Sequence, residues 1–544
     1  MDRLRYFAFC LMLITGILGT VSVHSQVSST QRAPIITSGA DKPSIFFYSD
    51  RPGSGNDVVY HMTLPKDPIV APRQDGGGGT FNFQLHAALE FGMVLCDTQS
   101  SPNFTDVCEP DTDANIFENP DPNAPDFVGH HAGSAVFELQ FYPPAGLNTC
   151  SDPNLWCSAV TITGFSFKNR TETRTNADCL RKVGQQPVNF AYLTTDGVAQ
   201  SAADPLNPDT AGKTAVIPGR TFQMGSGDRL RISIRDTPQG VRVVIHDLTA
   251  HSSGSMTASI ANGFAQVNFD PDPDPAHPQK TCSSTPYEYH PMYATSSERT
   301  RSTWLSHAGN IGFTAVIGNF EYCNAVTREG GNCVQAGPND PLGPDSDGIH
   351  GNCFSGGFLA SFGLQSIGAC FGADLDFDSI SYQAKWPGTG DAFIDFLFKP
   401  RPVRFTSPEF RARGDEDGNL HDFDRAAFES EAPVVESAGS PPTCNVFTGA
   451  GCVDPSAPFY PIFSTAGSED RCEWQLGGPH IPGTIDNFGG TSASEYGNLV
   501  SVLLIGEADD GFPDGTPTPA FLDFRRIVRN PCKNEGRGGH RDRD

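Results

Sequence analysis

Between Arg229 and Leu248, apolar and polar side chains alternate with a period of two. Leu230, Ile232 and Ile234 fall on one face, and Arg229, Arg231, Ser233 and Arg235 on the other. Only an extended strand with one buried and one wet face keeps such a spacing in register. Asp236-Thr237-Pro238-Gln239-Gly240 then supplies a turn, after which Val241, Val243 and Ile245 resume the alternation. The stretch is therefore read as an antiparallel hairpin lying on a core.

The same grammar extends along most of the chain. SIFFYS from Ser44, DVVYHMTL from Asp57, LEFGMVLC from Leu89 and SAVFELQFY from Ser134 are short runs rich in Val, Phe, Tyr and Ile. Clusters of Gly, Pro, Asp and Asn separate them, which is the punctuation of strands and turns. Helical periodicity is nearly absent, Ser296 to His307 being the best helix candidate. The expected fold is mainly β, with two or more antiparallel β-sandwich or jelly-roll-like domains carrying long disulfide-stapled loops.

Compartment follows from the first residues and the cysteines. Arg3 and Arg5 precede an apolar run from Tyr6 to Val23, and Val23-His24-Ser25 has the small-residue pattern of a signal-peptide cleavage site. Residues 1–25 are read as that peptide and the protein as secreted and extracellular. Cys10 would leave with the peptide, and the remaining cysteines of the original 15 are then even in number. In an oxidising compartment an even count implies disulfides, although their connectivity is not readable from spacing. No CxxC occurs, so structural zinc is the weaker reading.

The formal net charge of -26 argues against nucleic acid or anionic lipid as the main partner. After the leader, no apolar run is long enough for a membrane helix, so no membrane insertion is expected. Asn103-Phe104-Thr105 and Asn169-Arg170-Thr171 are sequons that would make the product a glycoprotein where the glycosylation machinery exists.

Organisation is read from two composition breaks and one repeat. Residues 26–43 form a polar lead-in and residues 44–275 an N-terminal β-sandwich domain, ended by the Asp270-to-Pro275 run of alternating Asp and Pro. Residues 276–400 form a second β-rich module with Cys- and Asp-rich loops, residues 401–532 a third related to it, and residues 533–544 a polar tail. The relation between the modules rests on Cys282–Trp304 and Cys452–Trp474, which align without a gap. Pro291 falls on Pro461, Thr295 on Thr465 and Arg301 on Arg471. Trp304 and Trp474 are expected as core anchors, each indole N–H finding a partner.

Three sets of residues carry candidate chemistry. Asp374, Asp376 and Asp378 place carboxylates at alternate positions in a Gly-flanked loop, and Asp345 and Asp347 do so beside Gly348. Calcium is the candidate cation for such loops, which point several oxygens inward, although no EF-hand pattern is complete. Asp111 to Asn115 and Asp415 to Asn419 are weaker members of the same class. His86 and the His130-His131 pair are weak metal candidates, and Arg413-Gly414-Asp415 is a tripeptide of a kind that arises readily by chance.

For catalysis, no nucleophile elbow or zinc-protease motif is present. Glu90 in LEFGMVLC and Glu138 in FELQFY sit inside expected strands among aromatic residues. Strand carboxylates ordinarily face water. If these two share one face of a sheet, they become an acid and nucleophile pair of the kind β-sandwich glycoside hydrolases use. Two functions follow: an extracellular binding or structural protein acting on polysaccharide or a cell-surface glycan, or a secreted glycan-acting hydrolase.

Overall fold

The computed structural model describes chiefly residues 44–49, 53–66, 89–99, 134–142, 154–164, 188–269, 282–291, 403–411, 418–432, 472–476, 498–505 and 518–532. Short strands and isolated positions between them are also described. The described chain is mostly β and its sheets are antiparallel.

Two sheets dominate. In chain order their strands are β1 (Ser44–Tyr48), β2 (Asp57–Thr63), β3 (Leu89–Cys96), β4 (Ser134–Tyr142), β5 (Leu155–Gly164), β6 (Val188–Tyr192), β7 (Gln223–Gly225), β8 (Arg229–Thr237) and β9 (Gly240–Asp247). There follow β10 (Ser252–Thr257), β11 (Ile311–Ala315), β12 (Arg404–Phe405), β13 (Arg425–Ala432), β14 (Phe463–Ala466), β15 (Glu473–Leu476), β16 (Asn498–Ile505) and β17 (Thr518–Arg529). The nine-stranded sheet runs β10-β9-β8-β2-β12-β15-β14, with Glu409–Phe410 and His421–Asp422 off that path. The ten-stranded sheet runs β16-β17-β13-β1-β11-β3-β4-β5-β6, with β7 paired to β5. Strands from residues 404–529 thus enter both sheets beside strands from residues 44–257.

The Arg229–Leu248 hairpin forms as its alternation requires. Leu230, Ile232 and Ile234 of β8 and Val241, Val243 and Ile245 of β9 are all buried, and Thr237 pairs with Gly240 across a two-residue turn. Gly240 adopts φ 110°, and a Cβ there would lie 2.4 Å from the carbonyl oxygen of Ala258, so the turn needs glycine on both counts.

One apolar cluster draws on both sheets. Val58, Tyr60 and Met62 of β2 and the six hairpin residues join Phe91, Met93 and Leu95 of β3 and Phe137, Leu139 and Phe141 of β4. The ring of Tyr60 stacks on that of Phe91, centroids 5.2 Å apart. Each fully buried aliphatic or aromatic side chain stabilises the fold by about 1.5–3 kcal/mol. Trp474 of β15 is wholly buried in this cluster as a core anchor, and its Nε1 donates to Ser407 Oγ at 3.0 Å. Trp304, its counterpart in the repeat, lies outside the described residues.

Disulfides are present among the described residues, as expected. Cys179 pairs with Cys282 and Cys472 with Cys532, and Cys96 and Cys157 are also disulfide-bonded. Cys282, the first residue of the repeated stretch, is therefore tied backward to Cys179. Among the described residues, no helix is long and apolar enough to cross a membrane.

Candidate functional site

The site begins with the pleat of β4. Its odd-numbered residues Ala135, Phe137, Leu139 and Phe141 enter the shared apolar cluster, which turns Glu138, Gln140 and Tyr142 to the opposite face. On β3, Phe91, Met93 and Leu95 take the core side, so Glu90 joins the β4 polar row. Register completes the assembly: Glu90 lies opposite Gln140, and Glu138 lies opposite Thr161 of β5.

These side chains converge on the amide of Gln140. Its Nε2 donates to Glu90 Oε1 at 3.2 Å and to Glu138 Oε2 at 2.7 Å. Its Oε1 accepts a short hydrogen bond from the Tyr142 hydroxyl. Glu138 Oε2 also accepts from Thr161 Oγ1 at 3.1 Å. The two glutamates therefore share one donor and are separated by no more than the span of two hydrogen bonds. They do not face open water: Glu90, Glu138 and Gln140 are 7%, 5% and 4% exposed. Burial of this kind strengthens each polar contact and makes its loss more costly.

An aromatic wall stands beside the pair. Tyr142, Cys157, Ala159, Phe190 and Tyr192 pack together, with Tyr192 edge-on to both Tyr142 and Phe190. Burial holds Tyr142 as a neutral phenol far above its usual range, and the neighbouring Tyr192, Glu90 and Glu138 push the same way. Burial also raises the Tyr192 phenol. Among the described residues, the Tyr192 hydroxyl and the hydroxyl of Thr163 on β5 are buried without a hydrogen-bond partner. Such groups cost about 1–3 kcal/mol each.

The sequence singled out Glu90 and Glu138, and the fold brings them together. It did not single out Gln140, Tyr142 or Thr161. The E-x-Q-x-Y spacing from Glu138 to Tyr142 was the available signal, since period two places all three on one face of a strand. The aspartates expected to hold calcium, Asp374, Asp376, Asp378, Asp345 and Asp347, lie outside the described residues, as do His86, His130, His131 and Arg413-Gly414-Asp415. Among the described residues, no group of three or more His, Cys, Asp or Glu side chains is placed to hold a metal ion.

A second carboxyl pair sits at the end of the β8–β9 hairpin. Asp228 accepts from Gly225 N at 2.5 Å, and burial, with the carboxyl of Asp247 beside it, raises its pKa. Arg401, which donates to Gly227 O at 2.7 Å, opposes that rise.

No known protein family matches the chain, and no curated protein matches it. Two solved structures align along most of its length. A crystal structure of scytalido-glutamic peptidase with a transition state analog inhibitor is 10% identical, covers 81% of this chain and 98% of its own, and gives a TM-score of 0.22. A crystal structure of the same peptidase with a peptide based transition state analog is 9% identical, covers 81% and 99%, and gives 0.21. Superposition this loose transfers neither fold nor activity.

Proposed function

We propose that this chain is a secreted hydrolase acting on glycans, with Glu90 and Glu138 as its paired carboxyl groups. One observation carries the reading: two glutamates from neighbouring strands converge on one amide in a water-poor setting. Glycosidic cleavage needs one carboxylic acid to protonate the departing oxygen and one carboxylate on the other side of the bond. A span of two hydrogen bonds suits the close spacing of retaining enzymes, about 5–5.5 Å, better than the about 6.5–9.5 Å that leaves room for an inverting water.

Glu138, which accepts from both Gln140 and Thr161, is assigned the nucleophile, and Glu90 the acid. Glu90 gives its proton to the leaving oxygen as the glycosidic C–O bond breaks and Glu138 bonds to the anomeric carbon. Water then cleaves that ester, and its proton returns to Glu90. Gln140 and Tyr142 are positioning residues. Tyr192 and Phe190 give sugar rings an apolar wall. A sandwich of the two large sheets is part of the proposal, supported by the apolar cluster they share and the Tyr60–Phe91 stack.

The test is purified mature protein against a panel of neutral and acidic polysaccharides, with new reducing ends measured. Glu138→Gln and Glu90→Gln should each lower turnover by at least about a thousandfold, within the range for loss of an acid, base or nucleophile. Full turnover in either variant would overturn the pairing. New amino groups from a protein substrate, without new reducing ends, would overturn the glycan assignment. Retention on a polysaccharide without cleavage would favour the alternative of an extracellular binding or structural protein. Calcium on the aspartate loops is a proposal that either function accommodates. Melting with and without EDTA tests it, because a tightly bound ion must raise the midpoint.

A further inference from the structure

The outer face of β2, β8 and β9 in the nine-stranded sheet is rich in arginine in a chain that is strongly acidic overall. Residues 229–242 contain four arginines, Arg229, Arg231, Arg235 and Arg242, and no lysine. The pleat turns all four away from the apolar cluster, because the buried positions of β8 and β9 are Leu230, Ile232, Ile234, Val241, Val243 and Ile245. Register then gathers them with two histidines. Arg231 lies directly between His61 of β2 and His246 of β9, and Arg235 lies opposite Arg242.

This arrangement opposes stability. Like charges directly across a pair of strands repel, whereas a face serving only for solubility would interleave signs. Asp57 relieves part of the repulsion: Arg235 Nε is 3.2 Å and Arg411 Nη1 3.0 Å from its Oδ2. One carboxylate there serves two guanidinium groups. Among the described residues, Arg229, Arg231 and Arg242 have no carboxylate within ion-pair distance. Burial and the nearby Arg231 cation both hold the His61 imidazole below its usual range, which agrees with the two side chains being close.

We propose that this outer face binds an acidic polysaccharide, a linear sugar polymer carrying a carboxylate on each residue. Arg229, Arg231 and Arg235 form a row of cations along β8, two to four residues apart at about 3.4 Å per residue, and Arg242 stands beside the row on β9, so an extended polymer can meet several of them at once. The side chains between the cations that reach the surface are Ser233, Val244 and Thr63, with Val59 of the same row buried and no aromatic ring to stack on a nucleobase. Nor does this row offer an apolar stripe that would enter a membrane. The proposal rests on β2, β8 and β9 alone and holds whether or not Glu90 and Glu138 are catalytic.

The experiment measures binding of the full chain to polygalacturonate and to neutral dextran at low salt, followed by a salt titration. Binding to polygalacturonate should fall steeply with salt, as counterion release requires, and dextran should not be retained. The Arg229→Gln, Arg231→Gln, Arg242→Gln triple variant should bind polygalacturonate about tenfold or more weakly, since each exposed charge contact is modest. Because it relieves repulsion, it should melt no lower than the parent chain. Should the triple variant misfold, Arg242→Gln alone, read as a shallower salt dependence, replaces it. The Glu90→Gln, Glu138→Gln double variant should bind unchanged. No retention on polygalacturonate, unaltered binding by the arginine variants, or equal affinity for single-stranded DNA would each overturn the proposal.

Discussion

His290 Nδ1 lies 2.7 Å from Asp236 Oδ1, while the carbonyl oxygen of the same histidine accepts from Cys96 N at 3.0 Å. The side chain thus reaches β8 of the nine-stranded sheet and the backbone reaches β3 of the ten-stranded sheet. The hydrogen bond to Asp236 raises the pKa of His290 above the usual imidazole range; burial opposes it, and the charges of Asp236 and Glu288 reinforce it.

A group whose pKa is raised by folding contributes stability that is fully present below its unfolded pKa and is lost as pH rises through the folded value. His290→Gln should therefore lower the melting temperature most at pH 5–6, and the gap to the parent chain should close toward pH 8–9. Melting both proteins across that range checks it, the difference cancelling groups they share. A gap that stays constant with pH would show that the ion pair contributes nothing.

The amide of Gln140 makes a second prediction. Gln140→Leu removes a donor from Glu90, a donor from Glu138 and the acceptor of Tyr142, all in a site almost closed to solvent. Removing a buried hydrogen-bonding partner costs about 1–3 kcal/mol for each group left unmatched. The variant should lose about 3 kcal/mol by chemical denaturation, about 1 kcal/mol for each of the three hydrogen bonds removed. Tyr142→Phe deletes the hydrogen bond to Gln140 Oε1 and should lose about 1 kcal/mol. Equal stability of Gln140→Leu and the parent would mean that the cluster is held by other contacts.

Much of this was legible in the residues. The β8–β9 hairpin was readable because its alternation and turn are local and each reinforces the other. Glu90 and Glu138 were visible as carboxylates among aromatics. That they share a face was not, because it depends on which of two parities each strand turns to the core. Only one of the two strands alternates cleanly: β4 does so across Phe137-Glu138-Leu139-Gln140-Phe141, but β3 places Gly92 and Val94 on the same side as Glu90. Pairings such as β2 with β12, or β1 with β13, join residues more than 300 positions apart, and no local pattern records a partner so distant. The basic outer face was likewise masked by the overall charge, since net charge sums over a chain and says nothing of where each sign collects.

The disulfide between Cys472 and Cys532 closes a loop with a sequence separation of 60 and leads directly into β15. Constraining an unfolded loop of that size stabilises a fold by on the order of 4 kcal/mol. The Cys472→Ser, Cys532→Ser double variant should melt lower than the parent under oxidising conditions, and added reductant should shift it far less than it shifts the parent. An identical response of both proteins to reductant would exclude this bond as a stabilising element.

Trp474 supplies the last test, because its indole N–H begins a chain of hydrogen bonds inside the core. Nε1 donates to Ser407 Oγ at 3.0 Å, Ser407 Oγ donates to Asn530 Oδ1 at 3.2 Å, and Asn530 Nδ2 donates to Phe423 O at 3.0 Å. The ring also meets Phe47 of β1 edge-on, centroids 6.0 Å apart. Trp474→Ala should cost about 3–5 kcal/mol, the range for deleting a large buried aromatic. Trp474→Phe keeps most of the packing but removes the donor to Ser407 Oγ, which still donates to Asn530, so it should cost about 1 kcal/mol more than its lost area alone implies. Adding Ser407→Ala to Trp474→Phe removes the acceptor that the indole N–H served. If the hydrogen bond matters, the double variant should therefore cost less than the two single variants summed. Strict additivity in denaturant titrations would reduce Trp474 to an apolar plug, whereas a positive coupling would identify its N–H as the link joining β15 to the segment that ends at Cys532.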